Sequence, residues 1–222
     1  MPPGHDPPAA PFPADFDPDT VAELARRAKV ALRKRARAVR AAVPESAAVE
    51  RSRAIVERLC NLEVVQAART IALFDAMLAK REVDARALDP WARARGAAVV
   101  YPSMDRASWT MAFRDPGDPA RMTDRGFGFA EPDPSIAEVD AIDVIVTPAL
   151  LVDGRGNRLG YGGGFYDRAL ARYRPHAVAV CVVYPFQLAA DLPTGPGDVP
   201  VDIVVTDEKV IDLRRAGDAR TF

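Results

Sequence analysis

Two short apolar runs, Thr70-Ile-Ala-Leu-Phe74 and Ala97-Ala-Val-Val-Tyr101, flank a stretch of helical character near Asp84 to Arg95, and that order reads as a βαβ unit. Continuous rather than alternating apolar runs suit strands covered on both faces. Ile142-Asp-Val-Ile-Val-Thr147, Ala177 to Val183 and Val201-Asp-Ile-Val-Val-Thr206 repeat the pattern. Trp109-Thr-Met-Ala-Phe113 alternates more and reads as an edge or hairpin strand, ahead of a Gly/Pro-rich loop through Pro134. Helices should therefore lie on both sides of a mainly parallel sheet, an α/β three-layer sandwich.

Upstream, Thr20-Val-Ala-Glu23 has capping-box spacing and predicts that structure begins at Thr20, in a single domain over residues 19–222. The helix carries one apolar stripe, Val21, Leu24, Ala28, Ala31 or Leu32, Ala36 and Val39, until Pro44 ends it. Arg26, Arg27, Lys29, Arg33, Lys34, Arg35, Arg37 and Arg40 crowd the remaining surface. A second helix, Glu45 to Leu59, places Ala48, Val49, Ser52, Ile55, Val56 and Leu59 at helical spacing. Residues 1–18 hold seven of the twenty prolines and read as a disordered, partly polyproline arm.

With 222 residues and 49% apolar content the chain can bury a sizeable core, and 30 Lys+Arg against 31 Asp+Glu removes any argument from total charge for a nucleic-acid or membrane-surface protein. Cys60 and Cys181 show neither disulfide-framework nor metal-ligand spacing, so a reducing compartment, the cytoplasm, is expected. The longest aliphatic run, Ala177 to Val183, falls far short of the ~18 residues a membrane span needs.

Six of the fourteen glycines fall between positions 154 and 164, inside Asp153-Gly-Arg-Gly-Asn-Arg-Leu-Gly-Tyr-Gly-Gly-Gly-Phe-Tyr-Asp167. Ordering so many glycines costs conformational entropy and calls for a reason. Backbone amides free of neighbouring Cβ atoms can approach phosphate oxygens, and the stretch runs into an apparent helix, Phe165 to Tyr173, whose first-turn amides point the same way. A flexible surface loop would have the same glycine content. The pattern is neither a Walker loop nor a dinucleotide fingerprint.

The segment Gly156-Asn-Arg-Leu-Gly-Tyr-Gly-Gly-Gly-Phe-Tyr-Asp167 closely resembles the signature of the 5-formyltetrahydrofolate cyclo-ligase (5,10-methenyltetrahydrofolate synthetase) family. Shorter agreements follow in family order over residues 26–207: Ala28-Lys29 with Leu32-Arg33, Glu82-Val-Asp84, Tyr101-Pro102, Phe129-Ala-Glu-Pro132, Val146-Thr-Pro148 and Asp198 to Thr206. The resemblance implies an ATP- and Mg²⁺-dependent ligase on the α/β fold that the family shares with sugar-phosphate isomerases and CoA transferases. ATP would phosphorylate the formyl oxygen of 5-formyltetrahydrofolate, and N10 would close the ring as phosphate leaves.

By the same resemblance, Lys29, Arg33, Arg158, Leu159, Gly160, Tyr161, Gly162, Gly163, Gly164, Phe165 and Tyr166 would bind ATP, with Arg158, Tyr166 and Asp167 as the catalytic set. Lys29 and Arg33, four apart, share one helix face and can converge on one triphosphate. Asp167 and Asp198 would hold Mg²⁺; Glu82, Phe127 and Tyr161 would hold the folate, with or without a polyglutamate tail. Gly163 stands where some relatives carry Lys, and Gly197 where the family often carries His. The residues alone leave other roles open: Asp167 paired with Arg168 or Arg172, Asp198 as a turn residue, Glu82 compensating a helix N-terminus, and the cations of the first helix other than Lys29 and Arg33 simply solvated. His5 and His176 have no catalytic context. The rival readings are an isomerase or transferase of the same fold, which would need neither ATP nor Lys29 and Asp167, a nucleic-acid module on the basic helix 26–40, and a paralogue with another substrate; the expected protein is a monomer or weak homo-oligomer with no nucleic-acid or membrane partner.

Overall fold

The computed structural model describes residues 17–174 and 176–214. The proline-rich arm lies outside the described residues except for Asp17 and Pro18, which open the first helix instead of preceding it. Helix α1 runs Pro18–Ala41. Its N-cap is Asp17, whose carboxylate accepts from the Thr20 amide at 3.1 Å, so the capping box expected at Thr20 does not form. Glu23 turns away and pairs with Arg26 and Arg27. Helices α2 (Glu45–Cys60) and α3 (Glu63–Ala67) follow.

The sheet then begins with β1 (Thr70–Ala72), followed by α4 (Leu88–Ala94) and β2 (Ala98–Asp105). The two strands are parallel, Thr70 opposite Ala98, as the βαβ reading requires. The helix is shorter than the expected span because Asp84 folds back on Arg86 in a turn and Pro90 sits in the first helical turn. The antiparallel edge strand β3 is Thr110–Arg114. A small ribbon, β4 (Thr123–Asp124) and β5 (Ala130–Glu131), leads to β6 (Val144–Pro148). A hairpin follows, β7 (Leu151–Asp153) with β8 (Arg158–Leu159), then α5 (Phe165–Tyr173), β9 (Val178–Val182), β10 (Leu188–Ala189), β11 (Ile203–Val205) and β12 (Val210–Asp212).

The main sheet has the order β12-β11-β9-β6-β1-β2-β3, with five parallel strands between two antiparallel edges. Alternate residues enter two cores. Ile71, Val144, Val146, Val180, Val182, Ile203 and Val205 pack under α2, α3 and α4; Ala72, Ile145, Ala179, Cys181 and Val204 pack under α5 and Phe113. Both faces are covered, which is why the strand runs are continuously apolar. Full burial of a side chain such as Ile71, Ile145 or Leu59 contributes about 1.5–3 kcal/mol.

The chain leaves β1 for β2 on one side and later returns through β6 on the other, so the winding reverses between β1 and β6. Sheets of this kind bind ligands beyond the carboxyl ends of the strands at such a reversal. The segments after β1 and β6, and the hairpin leading into α5, all converge there.

Candidate functional site

Helix α1 reaches this edge by a route its apolar pattern does not suggest. Of the expected stripe only Ala36 is buried; Val21 and Leu32 are half-buried, and Leu24, Ala28, Ala31 and Val39 are exposed. Lys29, Arg33, Ala36 and Arg40, at helical spacing, are the residues turned inward, with Ala36 and Arg40 buried. Polar bonds replace an apolar seam: Lys29 Nζ donates to Asp198 Oδ2 at 2.5 Å, and Arg33 Nε to the Gly160 carbonyl at 2.9 Å. Arg40 Nε donates to the Lys80 carbonyl at 2.9 Å. The expectation that Arg40 is solvated is therefore corrected; it is only 2% exposed. Its signal in the sequence was its position, seven residues beyond Arg33 on the same face.

The glycine-rich segment divides into two parts. In the first, the buried Asp153 carboxylate accepts from the amides of Arg155, Asn157 and Leu192, and closes the β7–β8 hairpin. At Gly156, φ is +82° and a Cβ would meet the Val201 carbonyl at 2.4 Å, so this glycine is required by close packing. In the second, Gly160 to Gly164 lead into α5 with positive φ at Gly162 and at the N-cap Gly164. Here the glycines border an open cleft. A cleft of about 330 Å³ is lined by Lys29, Arg33, Arg158, Leu159, Gly160 to Gly164, Phe165, Tyr166, Asp167, Asp198 and Met104. Every residue expected to touch ATP is among them. The amides that open α5 add the positive end of the helix dipole.

The cleft's charges are paired with one another. Arg158, nearly buried, donates from Nη2 to Asp167 Oδ1 at 2.9 Å and lies 5.6 Å from the centre of the Tyr166 ring. Asp167 Oδ1 also accepts from the Val199 amide at 3.2 Å, which brings it beside Asp198. Arg168 and Arg172, the alternative partners for Asp167, bond elsewhere: Arg168 to the carbonyls of Trp109 and Gly163, Arg172 to Glu138 and Asp140. Asp198 is paired with Lys29 and is also a turn residue, accepting from the Gly195 amide at 2.8 Å. Burial and the neighbouring Arg37 hold the Arg33 pKa below its usual value, although Arg33 remains a cation at any ordinary pH.

Asp167 and Asp198 are the two carboxylates of this cation-lined cleft, each paired with a cation; among the described residues no group of three or more His, Cys, Asp or Glu could hold a metal on its own. Mg²⁺ takes one or two protein carboxylates and completes its shell with water and phosphate oxygens.

Behind the cleft, sharing Met104 and Tyr166 with it, lies a smaller apolar cavity of about 70 Å³ lined by Phe74, Asp75, Met77, Glu82, Pro102, Phe129 and Pro148. It sits at the winding reversal, between the segments that follow β1 and β6. Glu82 is 4% exposed; its Oε2 accepts from the Met77 amide at 3.0 Å and its Oε1 from Arg40 at 3.4 Å. Glu82 lies in a loop six residues ahead of α4, so it does not compensate that helix's N-terminus. Burial raises its pKa, opposed first by Arg40. Burial and the facing Glu82 likewise push the Tyr166 hydroxyl up, so it stays protonated.

Tyr161 lines the cleft and not the cavity: its hydroxyl accepts from Arg40, and Arg37, Arg40 and Lys80 lie over its ring. Phe127 is one step removed, stacked on Phe129 at 5.8 Å and edge-on to Phe165 at 6.1 Å; the aromatics that line the cavity are Phe74, Phe129 and Tyr166. Arg40, Met77, Met104 and Phe129 are the residues that sequence reasoning missed. Only Phe129, inside a quoted motif, and Arg40, in helical phase with Lys29 and Arg33, carried any signal.

A cationic, glycine-lined cleft meets an acid-bearing apolar cavity at the reversal of the parallel sheet, so this is an α/β protein whose candidate site joins a charged half to an apolar half. The 5-formyltetrahydrofolate cyclo-ligase family profile matches residues 25–207, and the chain belongs to this family. A 5-formyltetrahydrofolate cyclo-ligase from Mycolicibacterium smegmatis is 36% identical over 149 residues, covering 65% of this chain and 71% of the relative. The structure of Aquifex aeolicus 5,10-methenyltetrahydrofolate synthetase superposes with a TM-score of 0.74 at 29% identity, covering 86% of this chain and 96% of that one. The corresponding protein of Mycoplasma pneumoniae, at 23% identity and a TM-score of 0.65 over 81% and 98% of the two chains, shares the fold.

Proposed function

We propose that the chain converts 5-formyltetrahydrofolate and ATP into 5,10-methenyltetrahydrofolate, ADP and phosphate, a ligation that forms a C–N bond. The observation that carries this is the common wall: the phosphate cleft and the apolar cavity share Met104 and Tyr166, so a phosphoryl donor in one would abut a ring system in the other.

A formamide is a poor electrophile because nitrogen donates into its carbonyl. Transfer of the γ-phosphoryl group to the formyl oxygen turns that oxygen into a leaving group. N10 then forms the new bond to carbon, loses its proton, and the C–O bond breaks with departure of phosphate. The transfer asks for alignment and charge neutralisation more than for covalent work. Lys29, Arg33 and the amides from Gly160 to Gly164 hold the phosphates. Arg158, desolvated and backed by Asp167, supplies a fixed charge, and Tyr166 forms the wall between donor and acceptor. Asp167 and Asp198 are the residues that would hold Mg²⁺, whose charge offsets that spreading over the transferred group. Glu82 accepts from the donor edge of the pterin, with Tyr161, Phe129 and, farther out, Phe127 as apolar walls.

The finer fold assignment proposed is the one shared with sugar-phosphate isomerases and CoA transferases. Two free cysteines, one buried and one half-buried, support a reducing cytoplasmic setting. The proposed substrate is 5-formyltetrahydrofolate with or without a polyglutamate tail, and the proposed state is a monomer or weak homo-oligomer.

Incubating the purified protein with 5-formyltetrahydrofolate, ATP and Mg²⁺ should produce the methenyl absorbance, and omission of any one component should abolish it. Folded protein that forms no product under the complete condition would refute this reading and favour a paralogue with another substrate.

A further inference from the structure

Arg40 occupies a position that the proposed chemistry does not use, and its surroundings are unusual for an arginine. It is 2% exposed, on the inward face of α1, and its three nitrogens reach three acceptors on two segments, the loop at residues 80–82 and Tyr161. Nε donates to the Lys80 carbonyl at 2.9 Å, Nη1 to Glu82 Oε1 at 3.4 Å, and Nη2 to the Tyr161 hydroxyl. Tyr161 belongs to the nucleotide loop, and Glu82 to the cavity behind it.

A guanidinium is planar, with its donors in a fixed fork. Turning it to meet Tyr161 therefore turns it with respect to Glu82 as well. The same helix carries Lys29 and Arg33 into the phosphate cleft, and Arg33 is bonded to the loop one residue before Tyr161. Tightening of the loop around a triphosphate is thus transmitted to Arg40 by two routes, through α1 and through the Tyr161 hydroxyl. At the other end, a buried carboxylate without a cation tends to take up a proton, which turns one of its two acceptor oxygens into a donor.

We propose that Arg40 is a positioning residue that couples the two substrate sites: its single fork sets both the Tyr161 side chain of the nucleotide loop and the Glu82 carboxylate, so nucleotide and folate each tighten the binding of the other. The inference rests on the proposed function and adds to it a coupling that must be reciprocal if it exists. Lysine cannot replace this fork, because one ammonium does not span three acceptors in a fixed plane. Tyr161→Phe removes one link of the chain and leaves the ring in place.

The test measures binding of 5-formyltetrahydrofolate by titration calorimetry, with and without Mg²⁺ and a non-hydrolysable ATP analogue. The wild type should bind the folate about fivefold or more tightly in the presence of the analogue, at the lower end of common coupling strengths. Arg40→Lys and Tyr161→Phe should each reduce that ratio to within about twofold of one, the double variant should do no worse than either, and Arg35→Ala, at an exposed site on the same helix, should keep the wild-type ratio. Should Arg40→Lys fail to fold, Tyr161→Phe alone decides. A folded variant that keeps the full ratio, or an active wild type with a ratio of one, would overturn the coupling while leaving the proposed function standing. A wild type that neither binds the folate nor forms product would overturn both.

Discussion

At Asp167 one carboxylate has two uses. Its Oδ1 accepts from Arg158 and from the Val199 amide, while the residue also lines the cleft beside Asp198. Asp167→Asn keeps an acceptor for both donors but removes the charge. Because Arg158 is almost buried, the substitution should lower stability by about 1.5–3 kcal/mol, the range for hydrogen bonds to charged groups. A residue that merely satisfied Arg158 would stop there. As a metal ligand it should also lower turnover by more than a hundredfold and shift the Mg²⁺ dependence to higher concentration. Thermal melting together with Mg²⁺ titration of turnover separates the two roles; near wild-type turnover at ordinary Mg²⁺ would remove Asp167 from the metal site.

The elements differ in how plainly they were written. Helix α5 spans Phe165–Tyr173, as its pattern predicts, and α2 ends one residue later than expected. Helix α1 was legible in extent but not in orientation. Apolar periodicity assumes that a helix docks by burying hydrocarbon, whereas α1 docks by bonding Lys29, Arg33 and Arg40 to the loops of the site. The same fact bears on the nucleic-acid reading of this helix, since three of the cations it would need are turned toward the protein. Alanine at Lys29 or Arg33 should raise the ATP Michaelis constant or lower turnover by roughly tenfold or more, the loss expected of a charge-assisted hydrogen bond to phosphate. Charge reversal at Arg26 or Arg35, on exposed faces, should change either by less than about twofold. Steady-state kinetics on the four variants checks this; equal effects at all four would favour diffuse electrostatics over a built phosphate site.

On the scale of the whole molecule, the parallel core was readable because its strands are covered on both faces and leave continuous apolar runs. Edge strand β12 and the β7–β8 hairpin were not, being three residues long or fewer and partly polar. The cationic, glycine-lined half of the candidate site was legible from the glycine segment, which is local in sequence. The other half was less so: Met77, Met104, Phe129 and Arg40 come together only when the sheet reverses its winding, and a methionine wall has no sequence signature of its own. In the proposed function this geometry brings a phosphoryl donor to the formyl oxygen. Turnover of 5-formyltetrahydrofolate carrying ¹⁸O in its formyl group tests it most directly, by mass spectrometry of the released phosphate. The label should appear in inorganic phosphate, one atom per methenyl product formed; label found in water, with unlabelled phosphate, would contradict it.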